Sequence, residues 1–183
     1  MDVVFLVDSS NGVNLISFYK EKIFVKLLAK RLNVSPEKSH AAVITYGSRA
    51  RLDIDFNGYD DLPAFERLVD RIAYIGGARR IDKALEAAAG ALKGSRSSVS
   101  KMVVLLTSGR QPQDAPSLET SAATLHSLGA VVYVVSVAND LDPKYFEVLV
   151  EDSMHVSRVP SFDVLNNALS QVASGIEEGT CLK

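Results

Sequence analysis

The stretch VVFLVDSSNG, residues 3–12, joins five consecutive apolar residues to a polar loop. A short apolar run that ends in Asp, Ser and Gly is typical of a strand buried on both faces. We therefore predict a strand over residues 2–7. The same reasoning, or alternation of apolar and polar residues, predicts strands over 40–46, 49–56, 102–106, 131–137 and 155–159.

Apolar residues at helical spacing lie between these strands and predict helices over 16–33, 62–75, 81–92, 118–128, 143–150 and 162–176. In the first helix the predicted buried stripe comprises Ile16, Tyr19, Ile23 and Leu27, widened by Phe24, Leu28 and Leu32. Alternating strands and helices predict a Rossmann-like α/β fold: a doubly wound, mostly parallel six-stranded sheet with helices on both faces. The short turn at Gly47-Ser48 makes 49–56 its one antiparallel edge strand.

Length and composition predict one ordinary globular domain. The chain has 183 residues, of which 47% are hydrophobic and 23% charged, and its net charge is −2. We therefore expect no binding to nucleic acid, and no membrane insertion because the apolar runs are only strand-length. The domain is predicted to span 1–176, with the polar residues 177–183 as a linker or tail. The chain begins inside a strand, as a piece of a longer protein would.

Two residues are candidates for covalent modification. Cys181, the only cysteine, is either an inert thiol on a flexible tail or, in a secreted protein, the disulfide partner of a neighbouring domain or another chain. Asn33 begins the glycosylation sequon Asn33-Val34-Ser35, although Pro36 directly after it disfavours modification.

Polar loops follow the first and fourth predicted strands. In doubly wound folds, ligands bind at the carboxyl ends of strands, near the point where the strand order reverses. Asp8 and Ser10 in the first loop could ligate a hard cation such as Mg²⁺, or the loop could simply cap the following helix. The loop at 107–110 offers no carboxylate, and the loop at 76–82 has no Ser or Thr but carries Arg79 and Arg80.

No pattern of catalytic residues is complete. Asp8 after a strand fits the start of an Asp-x-Asp phosphotransferase motif, but Ser10 occupies the position of the second Asp. The sequence has no Walker loop, no Gly-x-Gly-x-x-Gly after a strand and no Gly-x-Ser-x-Gly elbow. His40, His126 and His155 are scattered along the chain. We therefore expect no enzymatic activity, and neither a hydrolase nor a phosphatase.

The order of these motifs resembles the von Willebrand factor type A domain. The resemblance rests on 3–12, on Gly76-Gly77, on Ala84-Leu85 and on 103–110, and it extends to about Gly175. In detail the chain is similar to the repeated A domains of collagen type VI. The resemblance implies a secreted structural and adhesion module of the extracellular matrix, within a tandem array of a collagen VI-like microfibril. Its implied partners are other collagen VI domains or matrix proteins, bound without metal.

The resemblance also implies where a metal would bind. The family's metal-ion-dependent adhesion site resembles Asp-x-Ser-x-Ser, followed by a distant Thr and an Asp. Asp8 and Ser10 match, whereas Gly12 stands in place of the second Ser and Ser108 in place of the Asp. No hydroxyl lies at residues 79–80, where the Thr belongs. We therefore expect a vestigial site and no cofactor. A single carboxylate attracts a divalent cation too weakly to replace the water molecules that the cation must give up on binding.

A cationic side chain could replace the metal. Without one, Asp8 would be partly buried and unpaired, which is costly. Arg79 or Arg80 is predicted to pair with it, because a guanidinium binds carboxylates bidentately; the alternative is that both are solvated. The alternative function is a Mg²⁺-dependent adhesion domain that binds an acidic residue of a matrix ligand.

Overall fold

The computed structural model describes residues 1–137 and 141–181, without the side chains of residues 143 and 179–181. Its strands are β1 (Asp2–Asp8), β2 (His40–Tyr46), β3 (Ala50–Ile54), β4 (Lys101–Thr107), β5 (Ala130–Val137) and β6 (Val156–Val159). Its α-helices are α1 (Leu15–Arg31), α2 (Leu62–Arg71), α3 (Ile81–Leu92), α4 (Leu118–Ser127) and α5 (Leu169–Cys181). Short 3-10 helices lie at Pro143–Phe146, Ser153–His155 and Phe162–Ala168.

The strands of the described chain form a six-stranded sheet in the order β3-β2-β1-β4-β5-β6. β1 pairs in parallel with both β2 and β4, β4 pairs in parallel with β5, and β5 with β6. β3 pairs antiparallel with β2 at one edge. The predicted doubly wound sheet with one antiparallel edge strand is thus confirmed. Because the strand order reverses at β1, the crevice that suits a ligand lies at the carboxyl ends of β1 and β4.

Helices cover both faces of the sheet, which explains why β1 is apolar throughout its centre. Phe5 faces a core shared with residues of α1, α2 and α5, whereas its neighbour Leu6 faces a core shared with α3 and α4. This two-sided packing fixes the position of the loop that follows β1. Among the described residues, no helix combines the length and the apolar character needed to cross a membrane.

The buried face of α1 differs from the predicted one. The exposed members of the predicted stripe are Ile16 (68%), Tyr19 (55%) and Leu27 (37%), and Ile23 is half-buried. The residues predicted to widen the stripe, Phe24, Leu28 and Leu32, are buried. The prediction was wrong because Glu21 and Lys22 are buried on the core-facing side. Because these two charged residues lie on the buried side of α1, the sequence pattern makes the solvent-facing side look more apolar than the buried one.

α2 ends at Arg71, four residues before the predicted end. The backbone N–H of Ile75 donates to Ser9 Oγ at 2.8 Å, and the Tyr74 hydroxyl donates to the carbonyl oxygen of Ser10 at 2.6 Å. These contacts bind residues 74 and 75 to the loop after β1, so tertiary contacts override the local helical periodicity.

The carboxyl-terminal elements also differ in detail from the predictions. Residues 162–168 form a 3-10 helix, and α5 continues past the predicted domain end at 176 to Cys181. Where the domain ends stays a prediction. His155 belongs to a 3-10 helix rather than to β6, because the Asp152 side chain caps that helix through the N–H of Met154. The predicted helix at 143–150 is a short 3-10 helix over Pro143–Phe146.

Candidate functional site

Asp8 lies at the centre of the candidate site. It is the last residue of β1 and is fully buried. Its Oδ1 accepts a hydrogen bond from the backbone N–H of Ser10 at 3.0 Å, and its Oδ2 accepts one from that of Ser108 at 3.3 Å. Ser108 directly follows β4. The fold therefore brings these three residues together in the crevice where the strand order reverses.

The Arg79 guanidinium fills the space between the two loops. Its Nε donates to Asp8 Oδ2 at 2.6 Å, its Nη2 to Ser108 Oγ at 2.6 Å and its Nη1 to the carbonyl oxygen of Arg110 at 3.3 Å. The Arg79 side chain is 13% exposed and that of Asp8 0%, so the ion pair lies mostly out of water. Removing one partner of such a pair costs about 3–5 kcal/mol, because the other charge is left buried alone.

Arg80 has a different partner. Its Nε and Nη2 donate to the two carboxylate oxygens of Asp82 at 2.8 and 2.5 Å. Burial acts to raise the pKa of Asp82, but the hydrogen bonds and charge of Arg80 outweigh it and hold that pKa below its ordinary value. Arg79, and not Arg80, therefore forms the ion pair with Asp8.

Two glycines make room for the Arg79 guanidinium. A Cβ at Gly12 would overlap Arg79 Nη2 and lie 3.0 Å from Cζ. A Cβ at Gly109 would overlap Nη1 and lie 3.2 Å from Cζ. The sequence reading treats Gly12 only as a missing ligand, whereas its lack of a side chain is what allows the guanidinium to reach Asp8.

The loop that carries Arg79 is tied to the loop after β1. Asn11 donates its backbone N–H to the carbonyl oxygen of Gly77 and accepts the Gly77 N–H on Oδ1, both at 2.8 Å. Gly76 and Gly77 have φ values of 76° and 82°, in the left-handed region that favours glycine. The hydrogen bonds at Gly77 therefore fix the path of the loop two residues before Arg79, and this path directs the Arg79 side chain toward Asp8.

Glu21 is the member of the site that sequence reasoning missed. It is fully buried on α1, and neither carboxyl oxygen has a hydrogen-bond partner in the described chain. Burial raises the pKa of Glu21 well above its ordinary value, the Asp8 charge raises it further, and the Arg79 charge opposes this only in part. Burial and the Asp8 charge therefore both favour the protonated form of Glu21. Its spacing of three residues from the buried Phe18 is the signal that could have placed it inward.

The residues around Asp8 do not fit a divalent cation. Hard cations need several oxygen ligands, carboxylates above all. The crevice offers the Asp8 carboxylate, already paired with Arg79, and the hydroxyls of Ser10 and Ser108. In the part of the chain that the structure describes, no three His, Cys, Asp or Glu side chains could hold a metal ion together. The buried Ser10 Oγ has no described hydrogen-bond partner, so one oxygen of the vestigial set is unused.

The two candidate modification sites lie away from the crevice. Asn33 is exposed and follows the end of α1 with a φ of 54°, the left-handed conformation common just after a helix. The side chain of Cys181 lies outside the described part of the structure. Glycosylation and disulfide formation stay predictions.

Comparison with known proteins identifies relatives over nearly the whole chain. A family model of the von Willebrand factor type A domain matches residues 2–171. Human matrilin-3 is 27% identical over 93% of this chain and 36% of its own length. The human collagen alpha-6(VI) chain is 26% identical over 96% of this chain and 8% of its own length. Cuticlin-6 of Caenorhabditis elegans is 27% identical over 93% and 29%. The chain thus spans well under half of the length of these relatives.

A solved structure supports the fold in the same way. Proximal thread matrix protein 1 from the mussel byssus superimposes with a TM-score of 0.85 at 24% identity, over 94% of this chain and 44% of that chain. Another structure of that mussel protein has a zinc-occupied MIDAS motif, MIDAS being the metal-ion-dependent adhesion site. The sequence resemblance, in detail to the repeated N-terminal A domains of the collagen VI α3 chain, agrees with the collagen VI relative at the level of the family. The chain belongs to the von Willebrand factor type A domain family.

Proposed function

We propose that this chain is a structural and adhesion module of the extracellular matrix that binds other proteins without a metal ion. The observation that carries the proposal is the Arg79 guanidinium, which pairs with the buried Asp8 at 2.6 Å. Relatives that include matrilins and a collagen VI chain support a secreted matrix protein. The lack of a complete catalytic constellation in the sequence supports a role other than catalysis.

Charge balance supports the metal-independent part of the proposal. Arg79 supplies one positive charge to Asp8, and burial together with the Asp8 charge raises the pKa of Glu21, which favours its uncharged form. A divalent cation would have to displace the guanidinium and would leave Arg79 without its acceptor. Such an exchange is unfavourable, because burying an unpaired charge costs several kcal/mol.

The proposed partners are other collagen VI domains or matrix proteins, in a tandem array. The proposed contact surface consists of the exposed apolar residues Leu15 and Ile16, which begin α1 just after the loop that carries Asp8 and Ser10. Binding through this surface needs no metal. In such an array, Cys181 would bond to a neighbouring domain or chain. Mass analysis of the longer protein with and without reducing agent tests this, since a bridge predicts a crosslinked peptide that contains Cys181.

The binding proposal is tested by surface plasmon resonance with immobilised collagen VI, in Mg²⁺ and in EDTA. We expect equal affinity in both buffers and weaker binding of Ile16→Ser. The exposed Glu37→Gln variant is the control and should bind normally. Binding that disappears in EDTA contradicts the proposal and favours the alternative, a Mg²⁺-dependent adhesion domain that binds an acidic residue. The zinc-occupied site of the structurally similar mussel protein is the observation that keeps this alternative open.

A further inference from the structure

An apolar stripe runs along the solvent-facing side of α1. It consists of Ile16, Tyr19, Ile23 and Leu27, which lie on one face of the helix because they are spaced three or four residues apart. In the described chain, seven large hydrophobic side chains are exposed, and four of them belong to α1. Single exposed apolar residues are normal on a protein surface, whereas a contiguous group of them indicates a contact surface.

The charges along the middle of the α1 stripe are compensated within the chain. Lys20 and Lys26 flank the stripe, one on each side. Lys20 forms an ion pair with Asp163, and Lys26 forms one with Asp70 at 2.6 Å. Glu21, the only acid of α1, is buried on the opposite side of the helix. Because its flanking charges are compensated, the middle of the stripe does not repel a second copy of itself.

The two ends of the α1 stripe differ in charge. Lys30 and Arg31, at the carboxyl end, are exposed and take part in none of the ion pairs of the described chain. At the amino end lies a groove lined by Val13, Leu15 and Tyr74, and none of the described residues that line it is charged. One end of the stripe is therefore cationic, and the other is uncharged and apolar.

This difference decides how two copies of α1 can pack together. In a parallel pair, the two Lys30 side chains would lie side by side on helices whose axes are about 8–10 Å apart, and they would repel. An antiparallel pair centred between residues 21 and 22 separates them by about 25 Å, far beyond the Debye length of about 8 Å. The aliphatic stem of each Lys30 then lies over the uncharged groove of the other copy.

We propose that the chain forms a weak symmetric dimer in which the α1 stripes of two copies pack antiparallel. Ile16 of each copy contacts Leu27 of the other, and Tyr19 and Ile23 lie near the two-fold axis. One helix face is smaller than the roughly 800 Å² per partner of a standard interface, so we expect a Kd of about 1 mM. The dimer gives the contact surface of the proposed function a specific partner, a second copy of the chain, and its role in an array rests on that proposed function.

Paramagnetic NMR of a mixture of two chains tests the dimer and its orientation. One chain carries a nitroxide on Lys30→Cys, the other is ¹⁵N-labelled without a nitroxide, and both carry Cys181→Ser so that the nitroxide has one attachment site. At a concentration of about 1 mM, we expect the strongest broadening at the backbone amides of residues 11–16 of the ¹⁵N-labelled chain. Broadening of residues 27–31 instead, or no broadening at all, would overturn the proposal.

Two matched controls verify that the contact is specific. A nitroxide on Lys93→Cys, an exposed position that follows α3 on the other face of the sheet, should not broaden residues 11–16. Ile16→Ser should weaken the dimer at least about tenfold, because a symmetric interface loses this contact twice. Leu52→Ser also removes an exposed apolar side chain, but from β3, and should leave the dimer unchanged. Equal weakening by both serine variants would contradict the proposal, and unchanged thermal unfolding verifies that they fold.

The dimer and the proposed function can fail separately. A chain that shows the predicted broadening but does not bind immobilised collagen VI supports the dimer and contradicts the proposed function. A chain that binds collagen VI but causes no broadening contradicts the dimer alone.

Discussion

Gly12 and Arg79 are complementary in shape: a side chain of any size at residue 12 would occupy the space of the Arg79 guanidinium, whose Cζ lies 3.0 Å from the position of such a Cβ. Gly12 is also a position at which the chain departs from the family's adhesion site. The missing serine and the inserted arginine are therefore one structural change. The space left by the serine is the space that the guanidinium uses to reach Asp8.

This relationship predicts strong coupling between residues 12 and 79. Gly12→Ala should lower the free energy of unfolding by about 1–3 kcal/mol, because Arg79 must move. Arg79→Ala should lower it by about 3–5 kcal/mol, because Asp8 is left buried without a partner. In the Arg79→Ala background, Gly12→Ala should cost less than about 0.5 kcal/mol. Urea unfolding of the four proteins measures the coupling, and additive effects would contradict the shared space.

The raised pKa of Glu21 predicts a particular dependence of stability on pH. Burial and the Asp8 charge raise the pKa of Glu21 above its ordinary value of 4.5. Below pH 4.5 both folded and unfolded chains keep this proton. Above it the unfolded chain loses the proton first, so the contribution of Glu21 to stability falls by about 1.4 kcal/mol per pH unit until the folded-state pKa is reached.

Glu21→Gln removes this titration while keeping the shape of the side chain. We expect the two proteins to be similar in stability near pH 4, and the variant to become progressively more stable than the unmodified chain as the pH rises. Urea unfolding at several pH values measures the difference, in which the other titrating groups cancel. A difference that stays constant with pH would mean that Glu21 ionises as readily in the folded chain as in the unfolded one.

The two sides of α1 should respond differently to substitution. Ile16 is 68% exposed, so Ile16→Ser should change the free energy of unfolding by no more than about 0.5 kcal/mol. Phe24 is fully buried, and Phe24→Ala should cost about 3–5 kcal/mol. Denaturant unfolding of both variants distinguishes the observed face from the predicted one, since the predicted stripe would make Ile16→Ser costly as well.

The sheet was the most predictable part of the chain. β2 is apolar over residues 41–44 and β4 over residues 102–106, because both strands are buried on both faces, and such runs stand out in a sequence. The face of α1 was not predictable in the same way, because Glu21 and Lys22 are buried through tertiary contacts. The Lys22 ammonium, for example, donates to the carbonyl oxygen of Asp70 at 3.0 Å.

The sequence pointed to Asp8, Ser10, Ser108 and a nearby arginine, but it gave neither Glu21 nor the geometry of the candidate site. The departures from the family's metal motif predict that a cationic side chain pairs with Asp8. The sequence could not choose between Arg79 and Arg80, since both lie on the same loop. That choice depends on the path of the loop, which the hydrogen bonds between Asn11 and Gly77 fix. The steric role of Gly12 could not be predicted either, because it depends on where the Arg79 guanidinium lies.

Restoring the family's ligands should restore metal binding. The triple variant Gly12→Ser, Arg79→Thr and Ser108→Asp removes the guanidinium and adds two hydroxyls and a carboxylate around Asp8. We expect its thermal unfolding to shift upward in millimolar Mg²⁺, because a second close carboxylate favours the cation. Arg79→Thr alone is the matched control and should shift less. No shift in the triple variant would mean that the loops hold the ligands in positions unsuited to a metal.

The most direct test of the central claim is thermal unfolding of the unmodified chain in millimolar Mg²⁺ or Mn²⁺ and in EDTA. A working metal site at about 100-fold over its Kd would add about 2.7 kcal/mol, a rise of about 5–10 °C for a domain of this size. We predict the same unfolding temperature in all three solutions, because Arg79 already neutralises Asp8. An increase of that size with either metal would show that the cation displaces the guanidinium, and it would contradict a metal-independent site.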